Sequence, residues 1–170
     1  MGSTFECQIN SGSYSLCTSP KVYNGLASNQ THTFMVRAID AAGNTDTSPA
    51  VYSWAIDTTA PNAPIVSGTA LTNTTTPTWT WISGGNGGSG TYRYKLDNVD
   101  LTTGATTTTG TSYTASAQLE GAHTLYVQEQ DAVGNWSTSG SFATTIDTTA
   151  PNTSIASQPT NPTNDTSTSF

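Results

Sequence analysis

Oxygen-bearing side chains recur at fixed spacing in two short motifs of this 170-residue sequence. The pattern Asp-x-x-Gly-Asn occurs at residues 40–44 and again at residues 131–135. Carboxylate and amide oxygens are hard ligands of the kind that Ca²⁺ prefers. The same pattern also suits a tight turn, because Asp forms Asx turns and Gly or Asn accepts a positive φ. The motif therefore predicts either part of a calcium site or a hairpin turn without metal.

Further carboxylates lie close to these motifs in the sequence. Asp46 follows the first motif by two residues, and Asp57 and Asp147 each begin a copy of the segment Asp-Thr-Thr-Ala-Pro. Because a turn does not require an aspartate there, its repetition favours the calcium interpretation. The interpretation needs a fold that brings the two kinds of motif together.

The two cysteines, Cys7 and Cys17, are ten residues apart in the segment FECQINSGSYSLC. This segment is typical of two short strands joined by a Ser/Gly turn, and a disulfide across the hairpin fits it. A pair of free thiols in a reducing compartment is the alternative. Neither cysteine has a partner at metal-ligand spacing.

Catalytic constellations are not evident in the sequence, and we expect no enzyme. His32 and His123 occupy equivalent positions of a repeat, which favours a structural role at a turn or strand edge. No G-x-S-x-G elbow is present, and the glycine-rich residues 84–90 lack the lysine of a phosphate-binding loop. Glu120 and Glu129 have no apolar pocket that would tune them as an acid–base pair.

The charge balance excludes several classes of partner. The formal net charge is −7, with only four Lys and Arg residues. Nucleic acids and anionic membrane surfaces are bound by clustered basic side chains, so neither is expected as a partner. No apolar run is long enough to cross a membrane. Threonine, a β-branched strand former, makes up about a fifth of the chain.

An internal repeat of about 90 residues organises the chain. Residues 55–65, AIDTTAPNAPI, return as TIDTTAPNTSI at residues 145–155, and residues 31–44 return at residues 122–135. The period is close to the size of an immunoglobulin-like sandwich. With no helical periodicity present, the sequence predicts an all-β fold of tandem immunoglobulin-like β-sandwiches.

The repeat also predicts the domain boundaries. Residues 1–57 correspond to a repeat without its first two strands, residues 58–147 to a complete repeat, and residues 148–170 to a linker with the opening strands of a third. In this alignment Phe170 falls at the position of Trp79. An incomplete sandwich exposes a core face. We therefore expect residues 151–170 of one molecule to complete the first repeat of the next, head to tail; a frayed first repeat is the alternative.

Alternation of apolar residues predicts which side chains form the core. Trp79 and Trp81 share one face of a strand and are expected between the sheets. The same alternation predicts further inward-facing residues in four other strands. They are Phe34, Val36 and Ala38; Leu125 and Val127; Tyr92, Tyr94 and Leu96; and Trp54.

The segments FECQINSGSYSLC, HTFMVRAIDAAGN and IDTTAP, with TPTWTW and GAHTLYVQEQDAVGN, resemble the bacterial immunoglobulin-like (Big-type) repeats of large cell-surface adhesins. The resemblance covers almost the whole chain. It implies an extracellular stalk or spacer, located at the cell surface and joined to neighbouring repeats. In related arrays calcium often stiffens the linkers.

The implied sandwich places the loop between its last two strands beside the linker that enters it. Asp57, Asp131 and Asn135 are therefore the expected calcium ligands, with backbone carbonyls and water completing the shell. Asp40, Asn44 and Asp46 form an equivalent half-site, and Asp147 is the other half at the far end. A turn without metal remains the alternative for each loop.

A binding module is the alternative function. Trp136 could support carbohydrate binding, although no second exposed aromatic residue is expected beside it. The threonine-rich segments could instead order water as an ice- or clathrate-type surface, with Thr74, Thr76, Thr78, Thr106 and Thr108 as its residues. The twist of β-sheets argues against a flat threonine row.

Overall fold

The computed structural model describes residues 2–161, 164 and 166–167. In these residues all regular secondary structure is β-strand. They contain no helix that is long and apolar enough to cross a membrane. The twelve strands are β1 Thr4–Ile9, β2 Ser15–Cys17, β3 Gln30–Ile39, β4 Ala50–Ile56, β5 Ile65–Gly68, β6 Leu71–Thr72, β7 Thr78–Ile82, β8 Gly88–Leu96, β9 Thr106–Thr108, β10 Ser112–Thr114, β11 Gly121–Asp131 and β12 Gly140–Ile146.

Strands β5 to β12 form a β-sandwich of two sheets. One sheet has the order β10-β7-β5, and the other has the order β6-β12-β11-β8-β9. The core between them contains Trp79 and Trp81 from the first sheet against Tyr92, Leu125 and Val127 from the second. The predicted fold class, an immunoglobulin-like β-sandwich, is confirmed.

The sandwich core follows from the alternation of side chains in β7. Trp79 and Trp81 are 0% and 2% exposed, whereas Thr78 and Thr80, which alternate with them, face solvent. Successive residues of a strand point to opposite faces, so a TWTWI sequence buries its indoles and exposes its hydroxyls. Trp81 packs against Tyr92 and Tyr94, with ring centroids 6.0 and 5.6 Å apart. The core positions predicted from β7, β8 and β11 are confirmed.

The first strands of the sandwich are divided between its two sheets. β5 pairs with β7, but β6 pairs in parallel with the end of β12, at Thr145 and Ile146. Close packing of β5 on β12 requires a glycine at position 140, because a Cβ there would overlap the carbonyl of Pro64. β5 therefore covers part of the core face of the five-stranded sheet, and β6 forms one edge of that sheet.

Strands β1 to β4 form a single sheet of order β2-β1-β3-β4. Its antiparallel pairing repeats that of β9-β8-β11-β12: Cys7 lies opposite Val36 as Tyr94 lies opposite Val127. In the described residues no second sheet faces it. Phe34, Val36 and Ala38 are consequently half-buried, where Leu125 and Val127 of the sandwich are fully buried.

Residues 18–29 occupy the place in the sequence that β10 has in the sandwich, but they form no strand. In the sandwich, β10 pairs only with β7. The first sheet has no equivalent of β7 among its strands, so this segment has no ladder to join. Tyr23 nevertheless packs edge-on against Phe34, with ring centroids 6.1 Å apart.

The disulfide between Cys7 and Cys17 is present, as predicted, with the Cα atoms 5.8 Å apart. It ties β2 to β1 diagonally, because Cys7 lies opposite Ser15 and Cys17 lies opposite Phe5. A bridge that closes so short a loop stabilises by about 2–3 kcal/mol. It stabilises the half of the molecule that has the smaller core.

Candidate functional site

The loop at residues 131–135 is organised around the carboxylate of Asp131. Its Oδ1 accepts hydrogen bonds from the backbone N–H groups of Val133, Gly134 and Asn135, at 2.7–2.9 Å. Its Oδ2 accepts a bond of 2.8 Å from the side-chain amide of Asn135. Burial alone would raise the pKa of Asp131, but these bonds outweigh burial and lower the pKa. Both carboxylate oxygens thus serve the turn.

The equivalent loop at residues 40–44 has the same internal bonds. Asp40 accepts from the Asn44 amide and from the backbone N–H groups of Asn44 and Ala42, which lowers the pKa of Asp40. The remaining predicted carboxylates also form Asx turns, each accepting from the backbone two residues on: Asp46 from Ser48, Asp57 from Thr59 and Asp147 from Thr149.

The linker and the loop at residues 131–135 do meet, as the sequence predicts, although through different atoms. Nδ2 of Asn135 donates to the backbone carbonyl of Asp57 at 3.2 Å. From the other side, Oδ1 of Asn29 accepts a bond of 2.8 Å from the backbone N–H of Thr58. Two asparagines, one before β3 and one before β12, therefore bind the same stretch of linker.

Further asparagine contacts continue this pattern along the linker. Asn86 donates from its amide to the carbonyl of Ala60 at 3.2 Å, and the amide of Asn62 donates to the carbonyl of Gly84 at 3.1 Å. Pro61 and Pro64 are buried and hold φ near its fixed value. We call residues 57–62, with Asn29, Asn86 and Asn135, the junction.

The polar side chains of the junction bind one another and the backbone and are not arranged around a Ca²⁺ ion. The Asn135 side chain offers its N–H₂ group to Asp57, and both oxygens of Asp131 already accept N–H donors. Among the described residues no group of three or more acidic, histidine or cysteine side chains is placed to hold a metal. The side chains, as arranged, do not fit the ion, and the calcium site stays a prediction.

Sequence reasoning missed the burial of Glu129, which is 0% exposed. Its Oε2 accepts a bond of 2.6 Å from the hydroxyl of Ser83, and its Oε1 accepts from the backbone N–H of Gly90 at 3.2 Å. Burial, and then the nearby Glu129 charge, raise the pKa of Tyr92. The signal was present in the alternation of β11, which places Glu129 on the same face as Leu125 and Val127.

The two repeated histidines form matching clamps near the starts of β3 and β11. His123 contacts Oδ2 of Asp97 through Nδ1 at 2.6 Å and the carbonyl of Leu119 through Nε2 at 3.0 Å. His32 contacts the Asn10 amide and the carbonyl of Ala27 through the same two nitrogens. The predicted structural role at strand starts fits this geometry.

The residues proposed for the alternative binding functions do not come together. The Trp136 ring is covered by the guanidinium of Arg93, with Cζ 4.3 Å from the ring centroid. Thr78 lies in the three-stranded sheet, and Thr106 and Thr108 lie in β9 at the edge of the other sheet. Thr74 and Thr76 lie in the connection before β7. The five threonines therefore share no common face.

The structure is similar to solved arrays of fibronectin type III domains. The chicken CNTN1 FN1–FN3 domains match at 12% identity and a TM-score of 0.42, over 85% of this chain and 56% of that chain. The Clostridium thermocellum CbhA fibronectin(III)-like modules match at 17% identity and a TM-score of 0.41, over 84% of this chain and 77% of that chain. The central fibronectin-III array of RIM-binding protein matches at 14% identity and a TM-score of 0.32, over 95% of this chain and 64% of that chain. This chain spans little more than half the length of the CNTN1 structure.

No protein-family model matches the sequence, and no curated protein does. At these identities and TM-scores the neighbours carry no functional argument. The sheets themselves define the class: an all-β protein with one immunoglobulin-like β-sandwich and one further four-stranded sheet among its described residues. Its disulfide indicates an oxidising compartment.

Proposed function

We propose that this chain is a non-enzymatic spacer of a repeat array, whose role is to set the distance and direction between neighbouring modules. The observation that carries the proposal is the junction, where asparagines of both repeats bind one linker through Asn29 to Thr58 and Asn135 to Asp57. A linker held from both sides cannot swing freely as a Gly/Ser linker does. Directional stiffness is the property that a stalk needs.

The resemblance to adhesin repeats supports a position for this spacer at the cell surface. The disulfide fits an oxidising, extracellular setting. The net charge of −7 supports a surface that does not adhere to nucleic acid or anionic lipid.

The stalk proposal is tested by measuring the spread of distances between the two repeats. Spin labels would be attached at the exposed residues Val51 and Thr107, and pulsed electron spin resonance would give the distance distribution. The Asn29→Ala/Asn135→Ala variant should broaden that distribution. Asn73→Ala, at an exposed asparagine next to β6, is the matched control and should leave it unchanged. A distribution that is already broad in the unmodified chain would contradict the stalk.

Calcium stiffening remains a proposal on the same junction. The ion would require Asn135 to turn its Oδ1 toward the linker and the Asp131 carboxylate to release part of its N–H donors. The melting temperature and the distance distribution should therefore be compared in calcium and in chelator. A rise with calcium that Asp57→Ala abolishes would support the ion; no change would leave the asparagines as the clamp.

Neighbouring repeats are the proposed partners, with head-to-tail donation of residues 151–170 as one form of the linkage. Residues 151–161 are largely exposed and form no strand. Residues 162–163, 165 and 168–170, including Phe170, lie outside the described part of the chain. Sedimentation over a range of concentrations, with the chain shortened after Asp147 as the control, tests whether this tail links molecules.

A further inference from the structure

The inner face of the first sheet is an open apolar groove of about 550 Å³. Its lining includes Phe5, Tyr23, Phe34, Val36 and Trp54, and its only charged residue is Lys21. Phe5 is 50% exposed and Tyr52 at the rim is 68% exposed. We call this surface the acceptor groove.

The second half of the chain shows what covers such a face. By strand pairing, Phe5, Phe34 and Val36 stand where Tyr92, Leu125 and Val127 stand in the sandwich. There the indoles of Trp79 and Trp81 in β7 lie over these positions and are fully buried. The acceptor groove repeats the half of the core that receives β7.

Residues 21–23, beside the groove, also lack a strand partner in the described chain. Tyr23 is six residues after Cys17 of β2, close to the five that separate Tyr113 from Thr108 of β9. In the sandwich, Ser112–Thr114 become a strand only by pairing with Thr78–Thr80 of β7. Residues 21–23 contain a β-branched and an aromatic side chain, yet have no such partner in the described chain.

We propose that the acceptor groove binds a β-strand of the β7 type from a neighbouring repeat. Such a strand is uncharged, carries large aromatic residues at alternate positions, and pairs antiparallel with residues 21–23, which then become a strand. The proposal rests on the repeat-array function and names the kind of strand that covers the first sheet. Residues 75–84 of this chain, TTPTWTWISG, have this chemistry and contain no charged residue.

The groove selects a β7-type strand over a β5-type strand. β5 approaches β12 only because position 140 is glycine. The equivalent position of the first sheet, opposite Val36, is Ala50, as Gly140 is opposite Val127. The Ala50 methyl group keeps a β5-type strand from the same close approach, whereas a β7-type strand lies over the sheet centre.

The experiment titrates the full chain with a fluorescent peptide of residues 75–84. Binding should raise its anisotropy and slow hydrogen exchange at residues 21–23. A peptide with both tryptophans replaced by serine is the ligand control. In the protein, Phe5→Lys should weaken binding at least about tenfold, equal to about 1.4 kcal/mol. Leu16→Lys, an exposed apolar residue opposite Glu6, is the matched control and should bind as the unmodified chain does.

The proposal is overturned if neither peptide binds, or if both bind equally, since the groove would then not select indoles. Self-association of the chain that Phe5→Lys abolishes but the peptide does not compete away would also overturn it, because two groove faces would then be covering each other. None of these outcomes changes the distances across the junction, so failure here is distinguishable from failure of the spacer function.

Discussion

Nδ1 of His123 lies 2.6 Å from Oδ2 of Asp97, whereas the equivalent histidine, His32, faces an asparagine. The two clamps share the backbone hydrogen bond that follows the first strand, from Asn10 to Thr33 and from Asp97 to Thr124. Asn10 and Asp97 both have positive φ, of 54° and 56°. The side chain of each accepts a bond from a backbone N–H of the neighbouring strand in the sheet, Thr33 of β3 and Thr124 of β11. The repeat thus contains one clamp with a charged partner and one with a neutral partner.

The charged clamp makes the stability of the sandwich depend on pH. The Asp97 carboxylate, and then the carbonyl of Leu119, raise the pKa of His123 above its ordinary value. A raised folded-state pKa contributes stability that is fully present below the unfolded-state pKa of about 6.5 and is lost as pH rises through the folded-state pKa. Asp97→Asn should remove this dependence, and thermal melts across that pH range measure it.

The size and control of this effect follow from exposure. The side chain of Asp97 is 44% exposed, so we expect at most about 1 kcal/mol. The asparagine introduced by Asp97→Asn can still accept from Thr124, as Asn10 accepts from Thr33, so the variant should fold. Asn10→Asp, which introduces the charge into the other clamp, should add pH dependence to the first sheet. A sandwich transition that keeps its pH slope in Asp97→Asn would contradict the assignment.

Reduction of the disulfide should destabilise the first sheet alone. The bridge from Cys7 to Cys17 closes a short loop in a sheet with one uncovered face, and its loss should cost about 2–3 kcal/mol. Two-stage thermal unfolding with and without reductant measures the cost. The Cys7→Ser/Cys17→Ser variant should behave as the reduced chain and show no further response to reductant. An effect on the sandwich transition would contradict the separation of the two cores.

The buried and half-buried tryptophans should differ sharply in their contribution to stability. Trp81→Ala removes a side chain that is 2% exposed and contacts two tyrosine rings, so the sandwich should lose about 3–5 kcal/mol. Trp136→Ala removes a half-buried ring stacked on Arg93 and should cost about 1 kcal/mol. Chemical denaturation of each variant tests the ranking, and equal losses would contradict the core assignment.

The strand framework was predictable because its signals are local. Alternation in β7 assigned Trp79 and Trp81 to the core, and the hairpin around Cys7 and Cys17 indicated their bridge. The burial of Glu129 was not predicted because it depends on hydrogen bonds from Ser83 and Gly90. These residues lie some forty positions away in sequence and approach Glu129 only when the chain folds. A charged residue at an inward position was the one available sign.

The location of the junction was predictable from the sequence, but the hydrogen bonds within it were not. The implied immunoglobulin-like sandwich predicted that Asn135 lies beside Asp57, and the structure brings them together. Which atom of an amide faces the linker depends on the competition among nearby donors and acceptors. Asp131 accepts one amide hydrogen of Asn135 and orients the other toward the carbonyl of Asp57. No sequence pattern encodes that orientation.

Gly140 and Ala50, equivalent residues of the repeat, should lose unequal amounts of stability when glycine and alanine are exchanged. Gly140→Ala places a Cβ against the carbonyl oxygen and carbonyl carbon of Pro64. These are backbone atoms, which cannot rotate away as a side chain can. Separating β5 from β12 should cost the sandwich about 1–3 kcal/mol or more. Ala50→Gly, at a strand with no β5 equivalent in the described chain, should cost about 0.5–1 kcal/mol from backbone entropy alone. Denaturant unfolding of both variants measures the difference. Equal losses would mean that β5 has room to shift, and the Ala50 methyl group would then give the acceptor groove no preference for a β7-type strand.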